Sequence, residues 1–383
     1  MQALKVYLIA GEPSGDLLGS RLMRALKKQT KGEVRFMGVG GETMEKEGLK
    51  SLFDIKDLAV MGFMEVIPSI PKILKHLDEI IKDIQVKKPD IVMTIDSYSF
   101  SARVHKKLKA AGYEKPHVHC VAPQVWAWKK GRAKKIAQFV DHLFCLLPNE
   151  AAYFEPHGMA TTFIGHPVVE GGADKGNKEA FCQKYKINPK ATVLCVLPGS
   201  RKNELKYLLP IFQESVEQLR QDDPNLVVVI PTVQTVADKL KEKLKNWPIP
   251  HVIVQGEKER YDAFAAADVA LAASGTVSLE LAMAGVPHLI AYKLSPLTGF
   301  LAKHLLKIRF VNLLNILSNR EIVPELLQDN CTVDKIVETV RQLLENPAQN
   351  TKESLKKLGL GEAYSPSDKM ASVLKEMAEK QKK

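Results

Sequence analysis

The strongest limit on what this chain can fold into is a recurring unit: a short apolar run that stops at glycine or small polar residues, followed by an amphipathic stretch. Leu4 to Ala10 stops at GEPSGD and is followed by a helix from about Leu17 to Lys28. VRFMGV runs into Gly40 and Gly41, and Pro89 to Ile95 stops at Asp96, Ser97 and Tyr98. Further strands are read at His117 to Ala122 and Asp141 to Leu147. Strands this apolar, separated by helices, belong in parallel sheets covered on both faces, with ligands at the carboxyl ends of the strands. The rhythm pauses at GGADKGNKE, a linker by composition, and restarts. The restart covers Ala191 to Leu197, Leu226 to Pro231, His251 to Val254, Val269 to Ala272 and His288 to Tyr292. With 383 residues, too many for one typical core, the chain reads as α/β with two Rossmann-like domains, 1–170 and 171–362. A C-terminal helix and Lys-rich tail, 363–383, would pack back across the cleft between them.

Bulk composition narrows the class. Apolar content of 45% and charged content of 26% are those of a globular protein. Five scattered cysteines without a C-x-x-C pair argue against a disulfide framework and a structural zinc, and for reduced thiols in a cytoplasm. KVYLIAGEPSGD is a first strand rather than a signal peptide, and no stretch reaches the roughly 18 apolar residues of a spanning helix. A net charge of +11 asks for an anionic partner: nucleic acid, a membrane surface or phosphorylated substrates.

Several stretches carry candidate chemistry. In LAASGTVSLELAMAGVP, residues 271–287, a strand meets a helix at Ser274, Gly275 and Thr276, where free amides, the helix dipole and two hydroxyls favour phosphate. Glu280, one turn on, is placed to accept both hydroxyls of a ribose; the plainer reading is a capped helix with a surface glutamate. Ser200 and Arg201, at the tip PGSRKNE, are suited to a diphosphate, or else Arg201 makes a surface ion pair. Asp96 ends a central strand, where it either points into the ligand crevice or caps the next helix. In the first turn, the spacing Gly11, Gly15, Gly19 is not the dinucleotide fingerprint G-x-G-x-x-G. Residues 58–77 combine Met61, Phe63, Met64, Val66 and Ile67 with Pro68 and Pro71, which should prevent one continuous helix. That segment is either core or a greasy surface for acyl chains. Trp126 and Trp128 beside Lys129, Lys130, Arg132, Lys134 and Lys135 would suit single-stranded nucleic acid, lipid headgroups or a solvated helix face.

Together the blocks AGEPSGDLLG, GVGGETM, LAVMGFMEV, VWAWKKGR, GHPVVE, LPGSRKNE and SGTVSLE, in this order over almost the whole chain, resemble the lipid A disaccharide synthase family. Ala122 and Leu314 depart from the serine and proline expected there. The resemblance implies a GT-B glycosyltransferase, two Rossmann-like domains facing a cleft, that joins UDP-2,3-diacylglucosamine to the 6-hydroxyl of 2,3-diacylglucosamine 1-phosphate, lipid X. It implies inversion from an α-linked donor to a β-1,6 product, with one general base: Asp96 first, Glu12 and Asp16 as alternatives. The donor set becomes Ser200, Arg201, Gln255, Ser274, Gly275, Thr276, Glu280 and Asn315, and the acceptor or membrane patch Met61, Phe63, Met64, Val66 and Ile67. With no D-x-D run, no metal and no cofactor are expected. The implied partners are the two acylated substrates and an anionic membrane at the cytoplasmic face of a Gram-negative inner membrane, not nucleic acid. Pairing with a second copy of the chain stays open. Two rivals share parts of the pattern. A UDP-sugar 2-epimerase or a peptidoglycan glucosaminyltransferase would not need LAVMGFMEVIPSIP, and a nucleic-acid-binding protein leaves Asp96 and Glu280 without a role.

Overall fold

The computed structural model describes residues 3–58, 63–125, 131–294 and 309–381, without the side chains of 63–69. The chain divides into two compact units, Met1–Pro167 with Gly361–Lys383, and Val168–Leu360.

The first unit alternates β1 (Leu4–Ala10), α1 (Pro13–Gln29), β2 (Val34–Val39), α2 (Glu42–Lys46), α3 (Phe63–Lys87) and β3 (Ile91–Ile95). It continues through α4 (Tyr98–Ala110), β4 (His117–Cys120), α5 (Arg132–Ile136), β5 (His142–Cys145), α6 (Ala151–Phe154) and β6 (Ala160–Phe163). All strands are parallel in the order β2-β1-β3-β4-β5-β6. Continuous apolar strands need cover on both faces. Val6, Leu8, Met93 and Ile95 pack under α1, while Tyr7, Ile9 and Val92 meet Leu77, Ile80 and Ile84 of α3.

The second unit runs α7 (Lys178–Tyr185), β7 (Val193–Leu197), α8 (Lys202–Asp222), β8 (Val227–Thr232), α9 (Gln234–Leu244), β9 (His251–Gln255) and α10 (Glu257–Ala266). It closes with β10 (Val269–Ala272), α11 (Thr276–Met283), β11 (His288–Tyr292), α12 (Leu313–Ser318), β12 (Glu325–Leu327), α13 (Val333–Glu345) and α14 (Lys352–Lys357). Its parallel order is β12-β11-β10-β7-β8-β9. The chain then returns to the first unit as α15 (Pro366–Lys380), which packs along α1 through Met370, Ala371, Leu374 and Ala378, with Asp368 O accepting from Gln29 Nε2 at 2.9 Å.

Three expectations change. Pro68 and Pro71 do not interrupt α3, which runs unbroken over 25 residues. Both prolines lie in its N-terminal half, where each forfeits one backbone bond but keeps a helical φ, and the buried contacts of Leu77, Ile80, Ile81 and Ile84 outweigh that loss. The supposed linker is not a tether. Ala173 is buried, Asn177 N donates to Asp262 Oδ1 at 2.8 Å, and a Cβ on Gly176 would stand 2.0 Å from Tyr261 O, so only glycine lets this segment lie against α10. Finally, β6 and β12 escaped the reading because edge strands this short leave little hydrophobic signature.

Candidate active site

In each sheet the strand order reverses at one place, between β1 and β3 in the first unit and between β7 and β10 in the second. Loops leaving neighbouring strands there diverge to opposite faces and open a crevice at the carboxyl ends.

At the first reversal, Asp96 and Ser97 follow β3 with φ of 61° and 45°, left-handed values that non-glycine residues rarely adopt. Val121, after β4, has φ 76°, an outlier for a β-branched residue. Each such residue costs about 1–3 kcal/mol and persists only where the surroundings impose it. The Asp96 carboxylate accepts at Oδ1 from Ser97 N at 2.8 Å and at Oδ2 from the Ser14 hydroxyl at 3.1 Å, and the N-cap of α4, Ser97, makes no side-chain cap bond. Glu12, half-buried at the start of α1, accepts from the Ser97 hydroxyl at 3.1 Å. Two carboxylates from neighbouring tips are thus held by hydroxyls from each other's loops.

Asp16 has a different task. It is buried, and accepts from Gly41 N, Thr43 N, the Thr43 hydroxyl and Met44 N at 2.7–3.1 Å, which fastens the start of α2. Four donors occupy the lone pairs of this buried carboxylate, which makes Asp16 a structural clasp rather than the base. Beneath Asp96, the Thr94 hydroxyl lies 2.8 Å from His105 Nε2 and 2.7 Å from His119 Nδ1. One hydroxyl carries one proton, so Thr94 donates to one ring and accepts from the other. Burial holds both rings below the usual histidine range, His119 at about 4, and they are neutral.

At the second reversal, Gly199, Ser200 and Arg201 leave β7 while Ser274, Gly275 and Thr276 leave β10. Glu204 shapes the first of these loops, its Oε2 accepting from Ser200 N at 2.9 Å and Arg201 N at 3.2 Å. The Arg201 side chain, 61% exposed, touches Glu204 Oε1 at 3.2 Å and also neighbours the Tyr292 hydroxyl. Gly275 takes φ 144° with open space where a Cβ would stand, so the backbone at the start of α11 is accessible. Its first amides lack intrahelical acceptors, which suits phosphate oxygens. Glu280, on the next turn, accepts from Arg260 Nη2 at 2.9 Å and the Tyr261 hydroxyl at 3.4 Å. Gln255, at the end of β9, donates to Gln234 Oε1 at 3.1 Å and stays part-exposed.

Asn315 is a correction. It is fully buried, its Nδ2 donating to Val323 O and Glu325 Oε1 and its Oδ1 accepting from Ile322 N and Val323 N, so no donor or acceptor remains for a nucleotide. Of the apolar patch, Met61 lies outside the described residues; Phe63, Met64, Val66 and Ile67 lie on α3, but their side chains lie outside the description. Trp126 to Lys130 also lie outside it, while Arg132 sits 5.2 Å over the Tyr98 ring. Sequence reading missed Arg260 and Ser14. Nothing local ties Arg260 to Glu280, twenty residues on; Ser14 stood inside AGEPSGD but carried no signal separating it from an ordinary turn serine.

The lipid-A-disaccharide synthetase family model matches residues 6–377. The chain belongs to this family. A lipid-A-disaccharide synthase of Paramagnetospirillum magneticum is 49% identical over 377 residues, 96% of each chain. One of Rhodospirillum centenum is 50% identical over 348 residues, covering 91% of this chain and 87% of that one. Among solved structures, a Methanocaldococcus jannaschii UDP-GlcNAc 2-epimerase in complex with UDP-GlcNAc and UDP aligns with TM-score 0.65 at 15% identity over 97% of this chain and 100% of that one. A Neisseria meningitidis UDP-GlcNAc 2-epimerase bound to UDP-GlcNAc aligns with TM-score 0.62 at 13% identity over 98% and 100%. At such low identity these share the fold, two Rossmann-like units of the GT-B class.

Proposed function

We propose that this chain condenses UDP-2,3-diacylglucosamine with 2,3-diacylglucosamine 1-phosphate, giving the β-1,6-linked lipid A disaccharide 1-phosphate and UDP, by one direct displacement. The family and its named synthase relatives support the reaction. The observation that supports the mechanism is the strained tip of β3 at the strand reversal, where Ser14 and Ser97 hold a half-buried Asp96. Asp96 removes the proton from the acceptor 6-hydroxyl as its oxygen attacks the anomeric carbon from the face opposite UDP, so the configuration inverts without a covalent intermediate. Glu12, joined to the same tip through Ser97, orients the acceptor sugar and is the alternative base.

UDP departs with added negative charge. The first amides of α11, Ser274 and Thr276, together with Arg201 and Ser200, stabilise it as it forms, and Glu280 holds the ribose, with Gln255 at the rim. Fixed amides and a guanidinium do the electrostatic work otherwise given to a divalent cation, so the reaction runs without a metal or other cofactor.

The acylated substrates bring the chain to an anionic membrane. Ile70 and Leu74 of α3 are 40% and 47% exposed, the net charge is +11, and no helix among the described residues is long and apolar enough to cross a bilayer. This combination supports peripheral binding through α3 at the cytoplasmic face of the inner membrane. The deciding experiment is a product assay with both acylated substrates in mixed micelles, with and without excess EDTA. Disaccharide 1-phosphate formed at equal rates supports the reading; a rate that collapses with chelator and returns with magnesium removes the metal-free mechanism.

A further inference from the structure

Arg260 is poorly provided for by its own fold. Its side chain on α10 is 26% exposed, its Nε–H is buried and meets no acceptor among the described residues, and its Nη2 donates to Glu280 Oε1 at 2.9 Å. The guanidinium lies 5.1 Å from the centroid of the Tyr261 ring, and the Tyr261 hydroxyl reaches the same glutamate oxygen at 3.4 Å. Burial works against the arginine charge, and the Glu280 carboxylate, Tyr261 and Glu257 together more than restore it. A buried donor left without a partner is a standing cost that methionine or leucine would remove. What the fold obtains for that cost is a carboxylate pinned at one oxygen by a planar cation and a phenol.

We propose that Arg260 is a positioning residue that clamps Glu280 through Oε1, fixing the plane in which the carboxylate meets a ribose diol and so setting the preference for ribonucleoside over deoxyribonucleoside diphosphates. A glutamate side chain turns about three bonds, and a loose one loses that freedom each time a ligand binds; a clamped one has already lost it. An ionised carboxylate is the form that accepts two hydroxyl protons at once. This rests on the reading of Glu280 as the ribose acceptor.

The test measures the affinity of the full chain for UDP and for 2′-deoxy-UDP by calorimetry in the wild type and in Arg260→Met, Arg260→Lys and Glu280→Gln. The wild type is expected to favour UDP by about tenfold to a hundredfold, the usual value of a charged hydrogen bond to a ligand hydroxyl. Arg260→Met should bring the ratio to about one by weakening UDP alone, whereas mere structural damage would weaken both nucleotides alike. Arg260→Lys, a point charge without the planar fork, should give an intermediate ratio. If Arg260→Met does not fold, the lysine variant carries the test, and a lysine ratio equal to that of the wild type overturns the proposal. Discrimination lost in Glu280→Gln but kept in Arg260→Met also overturns it, leaving the ribose role of Glu280 standing. A wild type that does not discriminate removes the ribose role itself, and the clamp falls with it.

Discussion

Ser14 donates its hydroxyl to Asp96 Oδ2 at 3.1 Å, joining the first turn of α1 to the tip of β3 where the strand order reverses. The bond crosses 82 positions of sequence and orients a carboxylate whose backbone is already forced into the left-handed region. The Asp96 carboxylate is thus held by a side chain from a distant loop as well as by its own backbone conformation.

Asp96→Asn keeps the shape and can still accept from Ser14, but an amide cannot take the acceptor proton. Transfer activity should fall by about 100-fold to 10,000-fold with UDP affinity and melting temperature little changed. Near-normal turnover in a folded variant would move the base to Glu12.

Asn315→Ala removes a buried side chain whose amide makes four hydrogen bonds. The second unit should lose about 3 kcal/mol of stability, while the folded fraction binds UDP as before. A weakened UDP affinity at unchanged melting temperature would return Asn315 to the donor site.

Acid should destabilise the first unit more than the second. Burial holds His117, His119 and His166 of the first unit, and His288 of the second, at about 4, below the unfolded value near 6.5. A depressed folded pKa means the unfolded chain binds the proton first, so this stability is present above pH 6.5 and lost as pH falls toward 4, by about 1.4 kcal/mol per pH unit for each histidine. Glu150 acts in the opposite sense. Burial raises it to about 7, so its contribution is full below the unfolded value and fades as pH rises through 7, which offsets one histidine of the first unit. Calorimetric scans from pH 7 to 4.5 should show the transition of the first unit falling faster. Equal slopes for both units would contradict the assignment.

Polar replacement of Val66 and Ile67 together should make the protein more soluble and weaken its binding to anionic vesicles, with the remaining binding lost as salt screens the basic residues. If the pair belongs to the core instead, the melting temperature drops and vesicle binding per folded molecule is unchanged. Measuring both quantities on one double variant separates the outcomes.

Much of this protein was readable along the chain because its signals are local. Apolar runs, stop residues and helix caps act within a few positions, so β1, β10 and β11 were placed to the residue, and the loops around Asp96, Arg201 and Gly275 were recognised as strand tips. Where a residue's role depends on partners far along the chain, the same reasoning failed. Asp16 looked like a candidate base until Gly41, Thr43 and Met44 closed around it, and Asn315 looked like a ligand contact until Val323 and Glu325 took its amide. Arg260 carried no signal at all.

Sequence alone determined the class of fold and the family, because hydrophobic periodicity and seven ordered blocks survive without coordinates. Only the tertiary structure decided which polar side chains are spent and which are available. A carboxylate or amide has a fixed number of lone pairs and protons, and whether backbone amides, a distant arginine or a substrate claims them is settled by what folding brings within 3 Å.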